Sequence, residues 1–218
     1  MGNSDYDLGE LLMVLGDLHV PQRSLFLPPC FKRLLKTDKI KRVVCTGNVG
    51  SEDMLDLLKD ISPTLYIVQG DYDSDFKHPE TLTFSVGDLK IGVINGYQVP
   101  VWNNKDMLLK VAVDMNVDIL VYGHTHVSDI SKYGGKIFVN PGSATGCFQP
   151  WQPNSIPTFM LMAIHGSKIV IYVYEEHDGE AQVIMSELDN VEASGVKASN
   201  SAESPLPTPK NSQNSSEG

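Results

Sequence analysis

Leu11-Leu12-Met13-Val14-Leu15-Gly16-Asp17-Leu18-His19 decides how the rest of the chain is read. Five apolar residues in a row describe a strand covered on both faces, the interior strand of an α/β sheet. The run stops at a glycine, and a carboxylate and an imidazole follow, two residues apart. In an open α/β sheet the carboxyl end of a strand faces the crevice where ligands sit. A lone Asp and His beside a turn are more often structural than catalytic. Repetition shifts that balance, because similar strand ends recur down the chain.

Val43-Val44-Cys45-Thr46 runs into Gly47-Asn48, and Leu65-Tyr66-Ile67-Val68 into Gly70-Asp71-Tyr72-Asp73. Leu89 to Ile94 ends at Asn95-Gly96-Tyr97, and Asp118 to Tyr122 at Gly123-His124-Thr125-His126. Helical spacing fills the gaps. Phe31, Leu34 and Leu35 repeat beyond Pro28-Pro29, and Ser51-Glu52-Asp53 supplies an N-cap hydroxyl and an acidic first turn. Met54, Leu55, Leu57, Leu58 and Ile61 form that helix's apolar side, and Lys105 to Met115 has a similar period. Thr81 to Val86 and Leu89 to Ile94 flank a Gly87-Asp88 turn and read as a hairpin. Lys136 to Val139 leads into the turn-rich Asn140-Pro141-Gly142-Ser143.

From residue 158 the character changes. Thr158 to His165, Lys168 to Glu176 and Ala181 to Leu188 are strands joined by Gly166-Ser167 and Asp178-Gly179, an antiparallel meander appended to the βα part. The expected organisation is a loose lead-in over residues 1–10, one domain over 11–189 and a tail over 190–218. The tail is rich in Ser, Asn and Pro and lacks aromatics, so it is expected to be disordered.

Composition removes several classes of function. The net charge of −10 over 218 residues offers no basic face for nucleic acid and no polybasic anchor for an anionic membrane. No apolar run approaches the ~18 residues that a membrane span needs. Gly2 follows Met1, but Tyr6 stands where a myristoylation motif wants Ser or Thr. Cys30, Cys45 and Cys147 are odd in number and have no C-x-x-C spacing, which suits a reducing, cytoplasmic compartment. Cys45 reads as a buried strand residue.

The turns gather metal-capable side chains: Asp17, His19, Asn48, Asp71, Asn95, His124 and His126. Carboxylate with imidazole suits Zn, Mn or Fe(II). A two-metal hydrolase needs ions roughly 3.5–4 Å apart, a bridging ligand and an open position for water. Gly16-Asp17-Leu18-His19 and Gly123-His124-Thr125-His126, in order and at strand ends, resemble the calcineurin-like metallophosphoesterases. The resemblance implies an αββα sandwich of two mixed sheets flanked by helices. Three positions depart from that family's pattern. Asn48 stands where the family has its bridging Asp, Asp71 and Tyr72 replace a ligand Asn and a catalytic His, and Asn95 replaces a ligand His. An amide bridges two dications poorly. A phenol, titrating near ~10, is a poor proton donor to a leaving alkoxide.

Over residues 11–187 the chain is similar to the family of vacuolar-protein-sorting 29 subunits of retromer. The matching runs include Cys45-Thr46-Gly47-Asn48, Gly70-Asp71, Gln98-Val99, Asn140-Pro141-Gly142-Ser143-Ala144-Thr145-Gly146 and Tyr172-Val173-Tyr174. That family shares the Asn and Asp replacements and an aromatic in place of the catalytic His, while Asn95 departs even from it. The resemblance implies a non-catalytic scaffold, cytoplasmic and peripheral on endosomes. Its degenerate metal face would dock on the helical-solenoid subunit, vacuolar protein sorting 35, through Val99, Pro100, Val101 and Trp102. Leu161, Tyr172 and Tyr174 would receive endosomal regulatory proteins. Zn or Mn would bind at low occupancy, with none required for the scaffold role.

Two other readings compete. In a metal-dependent phosphodiesterase, Asp17, His19, Asp71, His124 and His126 would hold one working ion. A phospho-ligand binding module would keep the pocket without turnover. Plainer accounts of the surfaces also exist: Val99 to Trp102 can pack on their own domain, and Leu161 alternates with Met160 and Met162, so either set can be core.

Overall fold

β1 (Glu10–Leu15) lies between a parallel neighbour, β2 (Arg42–Cys45), and an antiparallel one, β9 (Thr158–His165). In this computed structural model, which describes residues 9–75 and 77–188, β1 is buried on both faces, as its apolar run requires. Leu12 and Val14 face one way and Met13 and Leu15 the other, into two separate cores. Each buried aliphatic side chain contributes about 1.5–3 kcal/mol relative to exposure.

The first sheet has the order β11-β10-β9-β1-β2-β3, with β3 (Leu65–Ile67), β10 (Lys168–His177) and β11 (Glu180–Leu188). The second has the order β4-β5-β6-β8-β7, from β4 (Thr81–Val86), β5 (Leu89–Ile94), β6 (Ile119–Val121), β7 (Ser128–Tyr133) and β8 (Lys136–Pro141). Both sheets mix parallel and antiparallel pairs. Their facing sides join in one core, where Leu12, Val14, Met160 and Met162 meet Ile91, Val93, Val121 and Val139. Phe31 of α1 (Pro29–Leu34) with Met54 and Leu58 of α2 (Glu52–Ile61) covers the outer face of the first sheet. Leu108 and Ala112 of α3 (Lys105–Asp114) cover the second. The αββα sandwich follows from these three cores.

Local chemistry sets the helix starts. Ser51 and Asn104 accept hydrogen bonds from the N–H groups of Met54 and Met107, at 3.4 and 3.0 Å. Pro29 sits inside the first turn of α1 rather than before it, where its missing N–H costs nothing. β1 starts one residue earlier than the expected lead-in allows, at Glu10. The meander is not an appendage, because β9 pairs with β1 and completes the first sheet. β7 was not anticipated. Its Ser128-Asp129-Ile130-Ser131-Lys132-Tyr133 is largely polar, as suits an edge strand open to water on one side. Residues 1–8 and the tail assigned to 190–218 lie outside the described residues. Among those described, no helix is long and apolar enough to cross a membrane.

Candidate metal pocket and its rim

The turns after β1, β2, β3, β5 and β6 meet at one end of the sandwich, and they meet tightly. A Cβ added at Gly16 or Gly123 would overlap the Thr46 hydroxyl, so the two motif glycines permit this approach. Asp17, His19, Asn48, His124 and His126 all take positive φ, between 48° and 72°. Such backbone costs on the order of 1–3 kcal/mol per residue and persists where the surroundings over-determine it. The brace is hydrogen bonding from residues that periodicity does not single out. Asp73 accepts from the N–H groups of Asn48, Val49 and Gly70, at 2.6, 2.9 and 3.1 Å. Ser143 donates to the Asp17 carbonyl at 2.7 Å, and Asn140 donates to Thr125 Oγ1 at 3.0 Å.

Asp17 is fully buried, and burial pushes its carboxyl above the ordinary range, against the pull of His126 and the Asn48 amide. Its Oδ2 accepts the His124 N–H at 2.7 Å. Asn48 Nδ2 donates to Asp17 Oδ1 at 3.1 Å and to Asp71 Oδ1 at 3.0 Å, while Asn48 Oδ1 accepts the Tyr72 N–H at 3.0 Å. The amide orientation is chemically forced. Reversal would set its oxygen against two carboxylates and its NH2 against an N–H. The amide oxygen therefore turns away, and a donor occupies the space between the carboxylates. For Asp71, burial raises the carboxyl, but His124 at 3.7 Å and the Asn48 amide outweigh it and hold the group below its ordinary value.

The imidazoles are arranged differently. His126 Nδ1 donates to the Cys147 carbonyl at 2.9 Å, which leaves Nε2 as a lone pair, 3.9 Å from Asp17 Oδ1 and 3.0 Å from the Gln149 amide nitrogen. His19 Nε2 and both ring nitrogens of His124 are buried without a hydrogen-bond partner. Burial, with His126 and Arg23 nearby, pushes His19 down to about 3, so it is neutral and can ligate. Ligand atoms of His19, His126 and Cys147 lie within 4.8 Å of one another. The partnerless Nε2 of His19, the converging His126 and Cys147, and the buried Asp17 carboxylate 3.9 Å from His126 make a donor set that suits one divalent ion. The fit to a second ion is poorer. Asn48 turns a donor toward that side, and Asn95 spends its NH2 on the Thr46 carbonyl at 2.6 Å, leaving Oδ1 without a partner. Tyr72 is half-exposed at the mouth, under the Arg23 guanidinium and edge-on to His19. Burial pushes the Cys45 thiol up, as befits a strand residue rather than a nucleophile.

Around the pocket, Val99 differs from the expectation placed on it. At 2% exposure it packs with Ile94 and Tyr122 in the core under α3, so its side chain is not on the surface. Pro100, Val101 and Trp102 are exposed, the last two at 53% and 41%. Trp102 sets an edge on His124 at 4.7 Å and lies 4.4 Å from Trp151, which the sequence reading missed. Phe148 stands exposed in the same loop as Trp151. On the meander, the alternation resolves clearly. Met160 and Met162 enter the inter-sheet core, while Leu161 faces outward beside Tyr172 and Tyr174. Tyr174 stacks on Phe159 at 4.7 Å and is partly core, and Tyr172 is half-buried.

Residues 11–167 match the calcineurin-like phosphoesterase superfamily domain. The chain is similar to vacuolar protein sorting-associated protein 29 of Schizosaccharomyces pombe, with 36% identity over 182 residues, 79% of this chain and 95% of that protein. Its fold is similar to Vps29 of Cryptosporidium parvum at a TM-score of 0.79 and 41% identity, covering 84% of this chain and 99% of that one. It is also similar to wild-type Vps29 of Entamoeba histolytica complexed with Zn2+, at a TM-score of 0.77 and 38% identity, covering 81% and 98%.

Proposed function

Because the chain belongs to the calcineurin-like phosphoesterase superfamily and, within it, to the Vps29 family, we propose that it is a non-catalytic scaffold subunit of the retromer cargo-sorting complex. It docks through the rim of its degenerate pocket on the C-terminal end of the helical-solenoid subunit, vacuolar protein sorting 35. It receives regulators on the outer face of the meander and serves endosome-to-Golgi retrieval in the cytoplasm, peripheral on endosomes. The observation that carries the non-catalytic reading is the Asn48 amide. Its hydrogen bonds hold an NH2 where a bridging ligand would offer an oxygen to two ions. Without a bridged pair there is no shared hydroxide and no clamp for a phosphate.

Supporting the docking surface, Pro100, Val101 and Trp102 form an apolar rim continued by Phe148 and Trp151. Exposed tryptophans clustered this way suit an interface anchor. The test is capture of the solenoid subunit by the pure chain, with and without chelator. Tight binding indifferent to chelator supports the scaffold, and no binding in either condition overturns it.

The unpartnered nitrogens of His19 and His124 favour a second reading in part: a residual metal site taking Zn or Mn. The E. histolytica relative is a Zn2+ complex, and this chain retains Asp17, His19, Asp71, His124 and His126. A weak phosphodiesterase would show as Mn-dependent turnover of a nitrophenyl phosphodiester that His19→Ala abolishes.

A further inference from the structure

The outer face of β9, β10 and β11 is covered at one end only. Phe159 is buried in the core beneath the helices, and Leu161, Tyr174 and Ala181 are partly buried against it. Farther along, Tyr172 stands opposite both Leu161 and Met185, and Tyr174 opposite Val183, so these side chains share that face. Val183 and Met185 are 55% and 60% exposed. β11 is the sheet edge and ends at Leu188, three residues past Met185, while the sequence continues over residues 189–218. Within that continuation Pro205-Leu206-Pro207-Thr208-Pro209 alone sets a large aliphatic side chain between prolines. Val191 and Val196 stand singly among polar and small residues.

We propose that Pro205–Pro209 docks, in its own chain, on the face formed by Leu161, Tyr172 and Met185, and thereby competes with other ligands of that face. The docking stands on the face and the tail alone. Its regulatory consequence rests on the reading of that face as the recruiting surface.

The chemistry and the reach both fit. Prolines fix φ and lower the ordering cost of an extended segment, and such segments bind aromatic-lined apolar surfaces. A tyrosine ring offers a rigid platform and a methionine side chain adapts its shape to the guest. Prolines cannot donate to a ladder, so the segment is suited to the face of β11 rather than to its open edge. Met185 lies within ~10 Å of Leu188 along the strand. As a coil, residues 189–204 span roughly 20–24 Å, enough to fold back over the face. Tethering at that length gives an effective concentration on the order of 1 mM. A contact with an intrinsic Kd near ~0.1 mM would then be closed about ten to one.

The experiment uses the full chain with 13C-methyl methionine and reads the Met185 resonance, with Met160 and Met162 as buried controls. Leu206→Ser lies beyond the last described strand and removes no contact among the described residues. It is expected to move Met185 and neither control, and the shift should persist on tenfold dilution. A peptide of residues 203–209 added in trans should bind the Leu206→Ser chain at least about threefold more tightly than the wild type, because the tail no longer competes. Combined with Leu161→Glu, the effect of Leu206→Ser on Met185 should vanish. An identical Met185 resonance in wild type and Leu206→Ser overturns the proposal, and so does a shift that fades on dilution, which marks a second copy as the occupant. Equal peptide affinity for both chains also overturns tail docking, yet leaves the recruiting face intact. Failure of regulators to bind this face while Met185 still responds would remove only the regulatory consequence.

Discussion

Asn48 and Asp71 sit one hydrogen bond apart, and that bond helps hold the amide with its oxygen turned away from the space between the carboxylates. Replacing the amide restores the superfamily's carboxylate at the cost of three adjacent acidic groups, two of them buried. Asn48→Asp is expected to lower thermal stability in chelator by about 1–3 kcal/mol, the range for a buried polar group that loses its partners. Mn should then restore stability, and elemental analysis should show a rise toward two ions per chain. An unchanged metal content would mean that Asn95, not Asn48, limits the second site. The contrast between Val99 and Val101 is equally sharp. Val99→Asp places a charge in the core under α3 and should cost several kcal/mol in a urea melt. Val101→Asp, on the open rim, should leave the melt within about 0.5 kcal/mol and abolish capture of the solenoid subunit. Unaltered capture by Val101→Asp would remove the docking face.

Within β9, the pleat separates two roles that the sequence left mixed. Met160 and Met162 fill the space between the sheets, and Leu161 between them looks outward. Met162→Glu is therefore expected to unfold the domain, whereas Leu161→Glu should melt normally, keep the solenoid subunit and lose the second class of partner. Circular dichroism melts of the two variants check this. If both unfold, Leu161 is core after all. Most strands were legible in advance, from runs such as Leu12 to Leu15 or the Gly87-Asp88 hairpin. β7 was not, since an edge strand open to solvent keeps a polar sequence that resembles loop. The side of the sheet that Leu161 takes was equally hidden, because strand alternation fixes two faces but not which is inward.

At the scale of the whole molecule, the pocket exists only because five strand ends from two sheets converge. A ligand that binds it is linked to global stability. Zn at a hundred times its Kd should stabilise the fold by about 2.7 kcal/mol, or roughly 5–10 °C for a domain of this size. His19→Ala should erase that gain, and scanning calorimetry with and without chelator measures it. A wild-type melt indifferent to Zn would mean that the unpartnered imidazoles do not form a site. The sequence by itself determined the α/β class, the strand-end motifs and the Asn48, Asp71 and Tyr72 departures, since periodicity and residue chemistry are local properties. Only the tertiary structure decided which way the Asn48 amide points, that Val99 is core, that Trp151 leans on Trp102, and that Asp73 and Ser143 brace the turns. Those facts depend on residues distant in the chain meeting in space, and no local pattern encodes such a meeting.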